Sequence, residues 1–242
     1  MKLQENNIIG DLVANDYRTA TIFQAYGVDF CCNGNRSIAD ACKSKNIDTS
    51  KLIGDLEQIV QLKESTSIDY NSWPADLLAD YIEKKHHRYV EAKIPEISAY
   101  LEKICKVHGA MHPELHEIAE QFEASAGELA MHMKKEELIL FPFVRKLMKH
   151  KQSGTNPETP HFGSVENPIH MMMEEHDIEG ERFRKIAALS NQYTPPADAC
   201  NTYNVTFALL KEFEEDLHLH IHLENNILFP SAIAMEKELS NL

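Results

Sequence analysis

From His87 onward the chain carries Val90, Ile94, Ile97, Leu101, Ile104 and His108 at steps of 3, 4, 3, 4, 3 and 4. That spacing places apolar side chains on one face of an α-helix. Three later stretches repeat the pattern. One runs through Ile118, Phe122, Leu129, Ile139 or Leu140, Phe143 and Leu147; another through Ile169, Met172 or Met173, Phe183 and Ile186; the last through Val205, Leu209, Phe213, Leu217 and Ile227. No long alternating β-branched run competes with them, so the expected class is all-α. Ser72-Trp73-Pro74 opens the first long helix and Gly109 stops it. Pro113 lies near the start of the second, which runs to about His150. Asn167-Pro168 opens the third as a cap followed by proline, and Pro195-Pro196 precedes the fourth. Lys151 to Val165 links the second and third. Four such helices over residues 72–242 predict a four-helix bundle. Pro95, Pro142 and Pro230 fall within three of them and should bend or interrupt each one.

The first 66 residues read as a separate small helical domain. A helix is expected over Asp11 to Tyr26, stopped by Gly27, and then a loop from Val28 to Asn35. Ser37 caps a short helix to about Lys45, and Asp48 to Ser50 start another. The polar stretch Glu64 to Ser72 is the expected joint.

Chemistry divides at the same place. None of the 13 histidines precedes His86, whereas three of the five cysteines, Cys31, Cys32 and Cys42, lie before it. The segments His132-Met-Lys-Lys-Glu136-Glu-Leu-Ile-Leu-Phe-Pro142 and His220-Ile-His-Leu-Glu224-Asn-Asn-Ile-Leu-Phe-Pro230 share H-x3-E-x2-I-L-F-P, so two helix pairs share one plan. H-x3-E occurs five times where 13 histidines and 26 glutamates in 242 residues give about one by chance. The shared I-L-F-P lifts these two above His87/Glu91, His116/Glu120 and His170/Glu174. His87, His132, His176 and His220 stand 44 or 45 residues apart, one per helix, and fall on the apolar stripes together with Glu136 and Glu224.

Burying two carboxylates without compensation is costly. A His and Glu at i, i+4 lie ~6 Å apart along a helix axis, so both reach one centre. Four imidazoles and two bridging carboxylates therefore predict a pair of metal ions, and ligands without thiolate suit iron, manganese or zinc. Six protein ligands leave open positions for O2, NO or water. His86 is the main competitor of His87. His108 shares the His87 stripe but lies ~31 Å along the helix, and Glu91 is a disfavoured third carboxylate. Gly180 occupies the His176+4 position where the other two helices carry Glu. Glu175, beside His176, is a candidate acid or proton carrier. His218 and His222 flank His220 and point elsewhere, while His112, His116, His150, His161 and His170 read as surface residues.

Adjacent Cys31 and Cys32 are expected as free thiols, since a vicinal disulfide closes a strained ring. Cys32 lies near the helix start at Ser37, where a thiolate is favoured, and Cys42 is placed to join them in a three-thiol site. Soft-metal binding, redox exchange and contact with a partner's metal cluster are all open to them. Cys105 and Cys200 read as small core or surface residues. The odd cysteine count and the lack of a signal-like start point to a cytoplasmic, reducing setting. With 24 basic against 38 acidic residues the net charge is −14. That argues against nucleic acid and against anionic lipid as partners, and no apolar run is long enough to span a membrane.

In combination, Asp29 to Gly34 (D-x-C-C-x-G), HMKKEELILFP, EEHDIEG and HIHLENNILFP resemble the iron–sulfur cluster repair di-iron family (RIC, YtfE and ScdA) over nearly the whole chain. The resemblance implies a haemerythrin-like bundle behind an ScdA-type N-terminal domain. It implies a non-haem di-iron centre held by His87, His132, His176 and His220, with Glu136 and Glu224 bridging. It also implies a homodimer and the repair of iron–sulfur proteins damaged by oxidative or nitrosative stress, by supplying iron. Cys31 and Cys32 are the expected residues of transfer, and Glu175 the expected acid or proton carrier. The rival readings are an O2 or NO carrier or sensor, an NO or nitrite reductase, and a metal-free bundle.

Overall fold

The computed structural model describes residues 3–61, 68–155, 157–158 and 160–240. Among them the chain forms eight helices and no strand: α1 (Ile9–Asn15), α2 (Thr19–Ala25), α3 (Ile38–Lys45), α4 (Thr49–Gln61), α5 (75–108), α6 (114–153), α7 (Glu166–Leu189) and α8 (201–240). The expected boundary at residue 66, and Glu64 to Ser67 of the expected joint, lie outside the described residues. No described helix is long and apolar enough to cross a membrane.

The single helix expected over Asp11 to Tyr26 is two. Asp16 takes an extended conformation (φ −151°, ψ 97°). Its carboxylate accepts the Arg18 N–H at 3.1 Å and pairs with the Arg18 guanidinium at 2.6 Å. This local bonding competes with continuation of the helix. The other N-terminal caps stand as expected: Ser37 Oγ accepts from the Asp40 N–H, and Asp48 accepts from the Ser50 and Lys51 N–H groups.

Helices α5 to α8 make the bundle. α7 begins one residue before Asn167, whose side chain donates to the Phe162 carbonyl instead of capping. α6 runs on to Ser153, where Gly154 at φ 65° closes it in the left-handed region. Three bundle helices contain a widened π turn: Ile82–His87 in α5, Glu136–Leu140 in α6 and Glu224–Leu228 in α8. Pro142 and Pro230 each sit two residues beyond a π turn, whose i→i+5 bonding absorbs the donor a proline lacks. Pro95 does not interrupt α5; helix continues through it, and the irregular turn of α5 contains no proline.

Each π turn adds a residue to the helical repeat and so re-aims the side chains beyond it. That is why Leu140, not the half-exposed Ile139, enters the core. At the start of α8 the buried face is Tyr203, Phe207, Leu210 and Phe213 rather than the expected Val205 and Leu209; Val205 is exposed and Leu209 only half-buried. Two apolar clusters fill the molecule. One joins the N-terminal helices to the far half of the bundle through Phe30, Phe122, Phe183 and Phe213; the other packs Phe141, Leu223, Leu228 and Phe229 around the π turns. The histidine-bearing layer lies between them.

Candidate metal centre

The π turns deliver the ligands. His87 ends the one in α5, while Glu136 and Glu224 begin those in α6 and α8. His132 and His220 lie one α-helical turn before the two glutamates, and His176 lies on the unbroken α7. The structure brings all six into two overlapping groups, each with its candidate ligand atoms within 4.8 Å of one another: His87, Glu136, His220 and Glu224, and His132, Glu136, His176 and Glu224. Both glutamates belong to both groups, as bridging carboxylates require. Glu136 Oε2 lies 3.4 Å from His87 Nε2 and 3.4 Å from His132 Nε2. Glu224 lies 3.3 Å from His176 Nε2 through Oε2 and 3.1 Å from His220 Nε2 through Oε1.

The cage asks for positive charge. Both carboxylates are fully buried, and Glu136 Oε1 and Oε2, Glu224 Oε2 and His87 Nε2 have no hydrogen-bond partner. Such orphaned atoms are expensive unless a cation takes them. The protons respond accordingly. Burial and the facing Glu224 push Glu136 up, yet His132 and His87 outweigh them and hold it below the usual carboxylate range. Burial also works against Glu224, which His220 and His176 pull well down. Burial lowers His132, but Glu136 and Glu175 overcome it and raise that imidazole to about 10. His132 Nε2 and His176 Nε2 approach to 3.0 Å. Acceptor-rich, buried and preformed, the six residues fit two divalent ions of borderline hardness.

The rear nitrogens of the imidazoles are held in turn, which sets tautomer and ring orientation. Glu175 Oε2 bonds His132 Nδ1 at 2.7 Å and also engages Lys135. Held first by the His132 bond and further by Lys135, its carboxyl falls to about 2. Glu137 bonds His87 Nδ1 at 3.1 Å, and Asn225 Oδ1 bonds His176 Nδ1 at 2.8 Å. The sequence reasoning missed Glu137 and Asn225, although the internal repeat marks them: each stands directly after one of the two shared glutamates.

The same repeat explains His86. It precedes His87 as Glu175 precedes His176, and it stacks on His220 (5.5 Å, 15°) while Asp216 holds its Nδ1 at 3.0 Å. His86 therefore belongs behind His220, outside both groups. Glu91 is drawn to Arg88 and Lys134. His108 sits at the far end of the bundle, 3.2 Å from Cys200 Sγ. His218 and His222 face the N-terminal domain through Phe30. Of the expected surface histidines, His112 and His150 are half-buried, tied to Asp198 and to Thr155, and neither joins the cage.

The vicinal cysteines are free thiols placed against the cage. Cys32 Sγ donates to the His176 carbonyl at 3.3 Å, and Asn225 Nδ2 donates to the Cys31 carbonyl at 3.2 Å. One asparagine thus links an imidazole of the cage to the thiol loop. Cys32 Sγ is engaged by the His176 carbonyl, and the head of α3 is capped by Ser37. Cys42 does not complete a three-thiol site; it is buried in the N-terminal core, and the group that forms is Asp29, Cys31 and Cys32. Gly180 leaves the space this needs, since a Cβ there would stand 3.1 Å from Cys32 Sγ. On the other side a cavity of about 300 Å³, walled by Leu129, Met131, Lys135 and Glu175, reaches His132 and His176.

Residues 78–232 match the haemerythrin HHE cation-binding domain, and residues 5–60 match the ScdA_N domain, described as a domain of unknown function (DUF542). The chain is 33% identical over 231 residues to the iron-sulfur cluster repair protein YtfE of Yersinia pestis, covering 96% of this chain and 98% of that one. It is 30% identical over 227 residues to the iron-sulfur cluster repair protein ScdA of Staphylococcus haemolyticus, covering 94% and 98%.

Proposed function

Since the chain belongs to the haemerythrin HHE family, with the ScdA_N domain in front, we propose that it holds two irons in the histidine–glutamate cage and repairs iron–sulfur clusters by donating iron. The observation that carries this reading is the pair of fully buried glutamates shared between two imidazole pairs, with oxygens that no protein donor satisfies. His87 and His220 would hold one ion, His132 and His176 the other, and Glu136 and Glu224 both. Bound there, iron would supply redox chemistry toward NO and O2 at positions the six ligands leave open.

The chain's own residues set how firmly the cargo is kept. Glu175, Glu137 and Asn225 fix three imidazoles from behind. The ligands are imidazole and carboxylate, without the thiolate that would lock a borderline ion in place. The His132 and His176 side is the more accessible, because the cavity beside Met131 ends there and Glu175, partly exposed, stands at its wall. Cys31 and Cys32 lie on the opposite side of His176, both thiols buried, on a loop that would contact the recipient or a second subunit. Damaged iron–sulfur proteins as recipients, a second copy of this chain as partner and a cytoplasmic setting are parts of the same reading.

The test is transfer. Iron-loaded protein is mixed with an apo iron–sulfur protein, sulfide and a thiol reductant, and cluster absorption is monitored. Cluster recovery at the expense of cage iron supports donation. Reversible binding of O2 or NO with no recovery favours a carrier or sensor and overturns it.

A further inference from the structure

Outside the cage the described residues contain one more group of metal-binding character, and the function above does not require it to bind anything. Asp29, Cys31 and Cys32 present ligand atoms within 4.8 Å of one another. We propose that these three residues form a second metal site, for one thiophilic divalent cation, separated from the cage by the backbone of His176.

The geometry is that of a tetrahedral face. Around an ion with metal–sulfur bonds of ~2.3 Å, two thiolates at the tetrahedral angle stand roughly 3.8 Å apart; the two sulfurs here are 3.7 Å apart. A carboxylate oxygen at ~2.1 Å from the ion would stand about 3.6 Å from either sulfur, and Asp29 Oδ1 lies 3.4 Å from Cys31 Sγ. Vicinal cysteines do not ordinarily turn both sulfurs to one side. Here Asp29 organises the turn, its Oδ1 accepting the Cys31 and Cys32 N–H groups at 3.1 and 3.0 Å. Its Oδ2 is held by Asn33 at 2.9 Å and Arg184 at 3.0 Å.

The surroundings suit a bound cation. Both thiols are buried, at 4% and 9% exposure, which shields them from competing water. Two thiolates and a carboxylate around a divalent ion leave one negative charge, and the Arg184 guanidinium is placed to offset it. A cavity of about 270 Å³ opens onto Asp29 and Cys31, with His218 in its wall. It offers an entry path and room for a fourth ligand. His218 Nδ1 is itself buried without a hydrogen-bond partner. Binding releases the thiol protons to solvent and changes no oxidation state. Thiolate donors select softer ions than the imidazole–carboxylate cage does, so the two sites sort metals by chemistry.

Cobalt(II) distinguishes them, because only thiolate ligation produces an intense near-ultraviolet charge-transfer band. The metal-free full-length chain, kept reduced, is titrated with cobalt(II). The wild type should bind three equivalents and develop the band. Cys31→Ser/Cys32→Ser should bind two and lose the band. Glu136→Gln/Glu224→Gln should bind one and keep it, and iron-loaded wild type should do the same without any substitution. A wild type that shows no band at saturation overturns the site, as does a band unchanged in Cys31→Ser/Cys32→Ser. Because the cage is counted separately in the same titration, loss of its two equivalents would count against the iron-holding reading and not against the thiol site.

Discussion

Glu136→Gln/Glu224→Gln should destabilise the metal-free chain and abolish its stabilisation by iron. In the metal-free chain two fully buried carboxylates face each other across the cage with unsatisfied oxygens. Burying each ion costs several kcal/mol even after relaxation. Protonation of His132, whose imidazole is raised to about 10, and of His87, also raised, returns part of that. The facing imidazoles hold both carboxyls below the usual range, so the fold favours the ionised pair, and removing both charges costs roughly 2–4 kcal/mol. Glutamine keeps the volume, removes both charges and donates to neutral imidazoles. At ~2–4 °C per kcal/mol for a chain of this size, the metal-free variant should melt about 5–15 °C below metal-free wild type. With iron supplied the gap should widen, because only the wild type gains binding free energy. Thermal unfolding by circular dichroism, with chelator and then with iron(II) under nitrogen, reads both. A gap that iron leaves unchanged would mean that the two carboxylates hold no cation, and a metal-free variant melting above metal-free wild type would mean that the imidazoles do not compensate them.

Other outcomes rest on single contacts. Glu175→Gln weakens the anchor on His132 Nδ1 and should lower metal affinity ~10–100-fold with little change in fold, measured by chelator competition. Glu214 is buried, and burial chiefly raises its carboxyl from 4.5 to about 7. Its folded value lies above the unfolded one, so its contribution to stability is present below about pH 4.5 and is lost as pH rises through about 7. Glu214→Gln should match wild type near pH 4.5 and be more stable at pH 8 by at most roughly 3 kcal/mol in urea unfolding; equal stability at both pH values would contradict this. Gly180→Val should push the Cys31–Cys32 loop off α7, shown by faster alkylation of both thiols, because even one added carbon meets Cys32 Sγ at 3.1 Å.

Much of the site was legible because the repeat and the helical period act on the same residues. H-x3-E-x2-I-L-F-P marked the two glutamates that both groups share, and the 44–45 residue spacing selected one histidine on each bundle helix; the structure gathers all six. Some of the features that escaped depend on departures from a regular helix. Periodicity assumes 3.6 residues per turn, so it could not separate Ile139 from Leu140 across a π turn. At the regular start of α8 the buried Tyr203, Phe207, Leu210 and Phe213 keep that period, and the expected stripe missed the first three because its uniform steps of four from Val205 drift off the face. The stop at Asp16 came from a side chain competing with its own backbone. The seating of the vicinal thiols against the cage required the N-terminal loop to fold onto α7, a contact across 144 residues that no local pattern encodes. Gly180 was noted as a missing carboxylate; the structure adds that its bare Cα admits Cys32.

The most direct test of the central claim is metal content of the chain purified without chelator, by elemental analysis together with its visible spectrum. The account predicts two irons per wild-type chain, with absorption from the iron pair, and their loss in Glu136→Gln/Glu224→Gln. Iron retained in full by that variant, or a wild type that stays metal-free when iron is plentiful, would contradict it.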